Sequence, residues 1–244
     1  MNDLERFFRQ NTDGRLIDKW IPYFEVYDRH FSRFRGTPVN VLEFGVSQGG
    51  SLQMWRHYFG PQAQLFGVDI NPNCRQFEEP GIKIFIGDQE NREFLRSLAT
   101  TLPQIDILID DGGHTMKQQI HTFEELFPTL APNGVYLAED LHTSYWRRWG
   151  GGYRRRGTFV EYSKHFIDDL NAWHSHEPQR LPISKFTQSA HSVHYYDSIV
   201  VIERRPMSPP ARERIGNRLF ADFDPIYPGL VSRLKRRLRQ LRSR

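Results

Sequence analysis

Two short stretches hold the residues best suited to chemistry: Asp110-Asp111-Gly112-Gly113-His114, and Glu139-Asp140-Leu141-His142-Thr143-Ser144-Tyr145-Trp146. Each follows a short apolar run, IDILI in the first case and GVYLA in the second. If neighbouring strands of one sheet carry them, Asp111, Glu139 and Asp140 lie side by side. Three carboxylates that close repel one another unless a positive charge sits among them, and hard oxygen donors with open positions suit Mg2+ or Mn2+. His114, three residues past Asp111, is placed to take a proton from a hydroxyl held at such an ion. Coordination lowers a hydroxyl pKa, and an imidazole titrates near neutrality. His142 is the second candidate for that role. A plainer use of the same acids stays open: Asp111 as a helix cap, and Glu139 paired with a nearby arginine.

The elements that must position these residues follow from the apolar pattern. Five short runs bounded by Gly, Asp and Asn read as strands: VNVLEFG, QLFGVDI, IKIFIGD, IDILIDD and GVYLAED. Between them, Ser51 to Phe59, Arg92 to Leu98 and Met116 to Leu130 have helical character. Alternation of this kind specifies an α/β fold, a mostly parallel sheet covered by helices on both faces. The runs after the first end in Asp69, Asp88, Asp110 with Asp111, and Glu139 with Asp140, while the first carries Glu43 just before Gly45. Ligands of open α/β sheets bind outside the carboxyl ends of the strands, so these acids are expected to converge on one edge.

The turn Glu43-Phe44-Gly45-Val46-Ser47-Gln48-Gly49-Gly50-Ser51 opens a helix, and its glycines let the backbone pass close under a ligand. Ser47 stands where a dinucleotide fold has its second glycine. Asp69 could accept from the two ribose hydroxyls of a nucleoside, and Gly87-Asp88-Gln89 could reach an adenine edge. Taken alone, Asp88 and Gln89 are equally well read as loop residues capping a helix. In order across the strands, Glu-Gly-Gly, Asp, Gly-Asp-Gln and Asp-Asp resemble the class I S-adenosylmethionine-dependent methyltransferases. The resemblance implies a Rossmann-like, mostly parallel seven-stranded sheet with an antiparallel last strand. It also implies a cofactor site drawn from Glu43, Gly45, Gly49, Ser51, Asp69, Asp88, Gln89 and Asp110, with Glu43 and a carbonyl near Gly45 facing the cofactor's ammonium group.

The stretch IDDGGH, then ELFPTLAPNGVYLAEDLHTSYW, together with IDKWIPYFEVYDRHF nearer the start, resembles the metal-dependent sugar O-methyltransferases that modify deoxysugars on macrolides and related natural products. Carried over residue by residue, the resemblance implies Asp111, Glu139 and Asp140 as metal ligands and His114 as general base. His142, Tyr145 and Trp146 then face the acceptor, a small molecule or glycan bearing the sugar. Relative to the macrolide enzymes this chain is expected to lack a large N-terminal domain and to have a shorter glycine loop. Two rivals are methylation of a catechol or other aromatic diol on the same fold, and a cofactor-binding module without catalysis. The aromatic and arginine-rich stretch Tyr145 to Tyr153, with Gly150, Gly151 and Gly152, reads as an acceptor lid or as a plain surface loop.

The chain has 244 residues and one cysteine, Cys74, which excludes an internal disulfide and a thiolate metal cluster within one chain. Its net charge of +4 is local: the last fourteen residues hold seven Arg or Lys and no acid, leaving 26 basic against 29 acidic residues elsewhere. A nucleic-acid-binding face is therefore not expected. No apolar run approaches the roughly 20 residues of a membrane span, and the charged start does not read as a signal peptide, so the cytoplasm is the expected location. Three segments are expected: residues 1–36, helical, with Trp20, Tyr23, Tyr27, Phe31 and Phe34 on one face; 37–206, the cofactor-binding catalytic domain; and 207–244, a Pro-rich linker and basic tail. Leu230, Leu234, Leu238 and Leu241 would make that tail an amphipathic helix suited to peripheral contact with an anionic membrane. ISKFTQSA and SVHYYDSIVVIERR are expected to be two last strands, residues 159–173 a helix, and the protein a homo-oligomer.

Overall fold

Every apolar run of the first half forms a strand, and the acids lie where the strands stop. The computed structural model describes residues 1–219. The strands are β1 (Asn40–Phe44), β2 (Gln64–Asp69), β3 (Ile82–Ile86), β4 (Ile107–Asp110), β5 (Val135–Ala138), β6 (Ala190–Tyr196) and β7 (Ile199–Arg204). They make one seven-stranded sheet in the order β3-β2-β1-β4-β5-β7-β6. β1 to β5 are parallel, and β7 runs antiparallel to both β5 and β6. The order turns back between β1 and β4, which opens a crevice there beyond the carboxyl ends.

Residues alternate between two cores across the sheet, as strands buried on both faces must. Val41, Ile107, Ile109, Val135, Leu137, Ile199 and Val201 face one core together with Tyr27, Phe31 and Trp55. Leu42, Phe44, Leu108, Tyr136, Ala138, Val200 and Ile202 face the other with Phe123, Phe127 and Phe166. The first core is closed by α1 (Asp3–Gln10), α2 (Tyr23–Phe31) and α3 (Gly50–Phe59). The second is closed by α4 (Arg92–Thr101), α5 (Met116–Leu126), α6 (Phe159–Ser163) and α7 (His165–Asn171). Residues 1–209 form a single unit, so the N-terminal helices are integrated with the sheet. From Pro210 to residue 219 there is no regular element, and the tail helix expected at 230–244 lies outside the described residues.

Caps fix the helix starts next to the crevice. Asn91 accepts from the backbone N–H groups of Glu93 and Phe94 at α4, and Thr115 forms a capping box with Gln118 at α5. Three expectations need correction. Residues 11–22 are not helical; Gly14, Pro22 and the bond from Asn11 Nδ2 to the Arg15 carbonyl (2.7 Å) turn them into an extended strap. Residues 159–173 break into α6, α7 and a 3-10 turn. ISKFTQSA is not a strand apart from its last residue: Ser184 and Thr187 bond each other's hydroxyls and backbone, making a turn, and β6, which starts at Ala190, and β7 form one hairpin that spans most of SVHYYDSIVVIERR.

Candidate active site

Parallel pairing of Asp110 with Phe44 and with Ala138 brings the ends of β1, β4 and β5 level, so the loops that follow them share one cleft. The cleft encloses about 490 Å³. Gly45, Asp69, Asp88 and Gln89 line one end, and Asp111, His114, Glu139 and Asp140 the other. Asp18, Lys19 and Trp20 of the strap and Tyr23 of α2 form a further wall.

At the β1 end, Gly45 has φ +90, and a Cβ there would stand 1.9 Å from the Asp111 carbonyl oxygen. Only glycine allows the two loops to touch. Asp69 accepts from the backbone N–H of Ser47 (2.9 Å) and of Asn71 (2.9 Å), which orients its carboxylate at the cleft. Asp88 is exposed and accepts from the Glu90 N–H at 2.8 Å.

Other residues expected beside the cofactor are spent on one another. Glu43 is buried and accepts from Ser51 Oγ (2.8 Å) and Trp55 Nε1 (2.9 Å) behind the cleft wall. Gln89 lines the cleft, yet its amide donates to Asp110 (2.6 Å) and Thr122 (3.0 Å) and accepts from the Gly113 N–H (3.2 Å). Asp110 is buried beneath, with the Tyr136 hydroxyl at 3.3 Å, and burial pushes its carboxyl up to about 6. Gly49, with φ +76, starts α3 against the Phe77 ring.

At the other end, His114 and Asp140 both sit in the left-handed region, φ +55 and +58. Such a backbone costs a non-glycine residue of order 1 kcal/mol and persists where surroundings hold it. Here Thr143 Oγ1 lies 2.9 Å from the carbonyls of both residues and ties the two loops together. His114 Nε2 stands 3.6 Å from Asp140 Oδ2 and 3.9 Å from Asp111 Oδ1. Ligand-capable atoms of Asp111, His114 and Asp140 all lie within 4.8 Å of one another. His114 Nδ1 is buried with no hydrogen-bond partner, and burial lowers the imidazole pKa against the pull of Asp140 and Glu139.

Glu139 is held from behind. It pairs with the Lys19 ammonium and accepts from the Tyr27 hydroxyl, and Lys19 also pairs with Asp111. Burial raises Glu139 to about 8, the Asp111 charge adding to it and Lys19 opposing; Asp111 rises to about 6 for the same reason, against Lys19. Burial disfavours the Lys19 charge, but Asp111, Glu139 and Glu43 outweigh it and hold the ammonium well above its usual range. Tyr23 donates to Asp140 Oδ1 at 2.8 Å. Of the plainer uses of these acids, the helix cap is not made, since Thr115 rather than Asp111 caps α5, whereas the ion pair is, with Lys19 in place of an arginine.

Sequence reasoning missed Lys19, Tyr23 and Tyr27 as site residues. The available signal was a tyrosine pair on a buried helix face, since a buried phenol needs a partner. Of the residues expected to face the acceptor, His142 Nδ1 bonds Ser198 Oγ at 2.6 Å, and its ring lies 4.4 Å from Trp146 and 5.9 Å from Trp20. Trp146 and Tyr145 are half exposed. The glycine run is no free hinge: Gly151 and Gly152 donate back to Trp146 and Ser144, and a Cβ on Gly151 would stand 2.3 Å from the Thr143 carbonyl.

The donor chemistry at this end fits a divalent cation: among the described residues the carboxylates of Asp111 and Asp140 converge beside the His114 imidazole, while the Glu139 carboxylate, turned to Lys19 and Tyr27, lies outside that group. Residues 42–141 match a protein-family model described as a methyltransferase domain. The chain is 36% identical over 203 residues to an 8-demethyl-8-alpha-L-rhamnosyl tetracenomycin-C 2'-O-methyltransferase of Streptomyces olivaceus, covering 78% of this chain and 53% of that protein. It is 34% identical over 189 residues to a mycinamicin VI 2''-O-methyltransferase of Micromonospora griseorubida, covering 73% and 47%. Among solved structures it is similar to the MycE methyltransferase of mycinamycin biosynthesis in complex with Mg and SAH, with TM-score 0.76, 31% identity, and 84% and 55% of the two chains covered. The chain spans about half the length of the curated relatives it matches. Its fold is that of the class I methyltransferases, and its resemblance to sugar O-methyltransferases extends well beyond the matched domain.

Proposed function

We propose that this chain, whose residues 42–141 match a methyltransferase domain, transfers a methyl group from S-adenosylmethionine to a sugar hydroxyl of a glycosylated natural product or glycan, with the aid of a divalent metal. The observation that carries the reading is the convergence of Asp111 Oδ1, His114 Nε2 and Asp140 Oδ2 in a cleft whose far end is formed by Gly45, Asp69 and Asp88. Relatives named for 2'- and 3'-O-methylation of a rhamnosyl group support the acceptor class.

Gly45 lets the β1 and β4 loops close together at the cofactor end of the cleft, and Asp69 is oriented to accept from ribose hydroxyls. Asp111, Glu139 and Asp140 would hold Mg2+ or Mn2+, whose charge favours the alkoxide form of the acceptor hydroxyl. His114, kept neutral by its burial, accepts the hydroxyl proton at Nε2. S-adenosylmethionine would supply the methyl group to that oxygen and leave as a neutral thioether, the electrons of its carbon–sulfur bond staying on sulfur. Lys19 and Tyr27 hold Glu139, Tyr23 holds Asp140, and the reacting groups are thus positioned before the acceptor arrives. His142, Tyr145 and Trp146 form the acceptor wall, with aromatic faces for a sugar ring or aglycone.

On this reading the protein works in the cytoplasm as a homo-oligomer. No helix among the described residues is long and apolar enough to cross a membrane. Contact of the 230–244 tail with anionic lipid belongs to the same reading and is tested by liposome pelleting with and without it. The decisive experiment titrates S-adenosylhomocysteine calorimetrically with and without Mg2+. It then looks for a gain of about fourteen daltons on rhamnosylated acceptors, the mass of the methyl group minus the proton lost to His114. Methyl transfer that persists in strong chelator overturns the metal's role, and absence of S-adenosylhomocysteine binding overturns the whole reading.

A further inference from the structure

A second cluster of metal-ligating side chains lies where α2 packs on the β6–β7 hairpin. His30 is 3% exposed, and its Nδ1 stands 2.9 Å from Glu203 Oε1. His194 lies beside it, with ring centroids 4.8 Å apart. Ligand-capable atoms of His30, His194 and Glu203 all lie within 4.8 Å of one another.

What distinguishes this cluster from a chance meeting of polar groups is its outer layer. Tyr196 Oη holds His30 Nε2 at 2.9 Å, and Ser192 Oγ holds His194 Nε2 at 3.0 Å. Each imidazole therefore has Nε2 fixed by a hydroxyl, and His30 turns its Nδ1 to Glu203 within the cluster. Metal-bound histidines are organised this way, the second ring nitrogen setting tautomer and orientation. Glu203 is treated likewise: Arg33 stands 3.4 Å from its Oε2, leaving Oε1 toward His30.

We propose that His30, His194 and Glu203 form a zinc site that pins the end of α2 to the β6–β7 hairpin. Two imidazoles and one carboxylate are a zinc donor set, whereas Mg2+ prefers oxygen donors throughout. The fourth position is open to water. The consequence reaches the cleft, because α2 also carries Tyr23 and Tyr27, which hold Asp140 and Glu139. This site stands on its own geometry and does not depend on the proposed reaction.

The test strips the full chain of metal and titrates it with Zn2+ in excess Mg2+, reading calorimetry and melting temperature. One zinc per chain and a raised melting temperature are expected. His194→Gln should lower zinc affinity at least tenfold and abolish the thermal shift, with Asp140→Asn retaining both. Tyr196→Phe, which keeps the ring and removes only the outer hydroxyl, should weaken zinc about 10- to 100-fold. If His194→Gln fails to fold, Tyr196→Phe and Glu203→Gln decide. Zinc affinity unchanged in these variants, zinc lost in Asp140→Asn, or no zinc retained at all overturns the proposal and leaves a hydrogen-bonded cluster.

Discussion

Lys19 and Glu139 form an ion pair closed to solvent on both sides, the lysine side chain 4% exposed and the glutamate 1%. The pair joins residues 120 positions apart, and the same ammonium reaches Asp111. Removing one partner of a buried pair costs about 3 kcal/mol, because the other charge is left uncompensated. Lys19→Met should therefore melt roughly 6 to 12 °C lower in chelator. Mg2+ should recover more of that loss than the shift it gives the wild type, since the acids then have no other counter-charge. Equal Mg2+ shifts in the two proteins would show that Lys19 does not balance the metal-site acids.

His114 demands a substitution that tolerates its backbone. Asparagine enters the left-handed region more readily than other residues, so His114→Asn removes the imidazole with least strain. Loss of a general base should reduce kcat by about 10²- to 10⁴-fold while S-adenosylhomocysteine affinity stays within a factor of two or so. The imidazole pKa is lowered in the folded chain, so wild-type kcat/KM should fall on the acid side, with its midpoint below that of an ordinary imidazole. His114→Asn should lose that limb. A variant whose acid limb is unchanged would assign the base elsewhere, with His142 the next to test.

Asp110 links the cleft floor to stability. Its folded pKa of about 6 lies above the ordinary 3.8, so the folded state holds its proton more tightly than the unfolded chain. That contribution is fully present below about pH 4 and is lost as pH rises through 6. Two pKa units correspond to about 3 kcal/mol. Asp110→Asn, which keeps an acceptor for Gln89, should gain on the wild type by that order between pH 4 and pH 6.5 in urea unfolding. Parallel stability curves for the two proteins would refute the assignment.

Gly45 and Gly150 provide a matched pair of alanine substitutions. Both have positive φ, +90 and +83, but a Cβ on Gly45 meets the Asp111 carbonyl at 1.9 Å whereas on Gly150 the nearest atom is 3.8 Å away. Gly150→Ala should cost about 1 kcal/mol from backbone strain alone. Gly45→Ala should cost several times more and weaken S-adenosylhomocysteine at least tenfold, because the β1 and β4 loops must part. Equal effects in thermal melts and calorimetry would mean that the two loops yield freely.

Sheet and cleft were legible because strands buried on both faces leave apolar runs, and acids can stop them only where the chain leaves the core. Asp69, Asp111, His114, Glu139 and Asp140 line the cleft as their places at strand ends imply. Glu43 and Asp110 share the same strand-end signature, yet Trp55 and Ser51 claim one and Gln89 and Tyr136 the other. Which way a carboxylate turns depends on partners several residues or a whole helix away, and no local spacing encodes that. The role of Lys19 was missed for the same reason: although IDKWIPYFEVYDRHF was singled out, the partners of Lys19 lie 92 and 120 residues on. Pro128 explains the early end of α5, the chain continuing as a 3-10 turn over Phe127–Thr129.

The strap that delivers Lys19 rests on the first turn of α3, where a Cβ at Gly50 would stand 2.3 Å from the Leu16 carbonyl and 2.6 Å from that of Arg15. A bare α-carbon is thus the seat on which the cation is held at the right height. Adding one methyl group at position 50 would prise the segment upward and withdraw the ammonium from its two carboxylates, with every strand end and every acid left where it was.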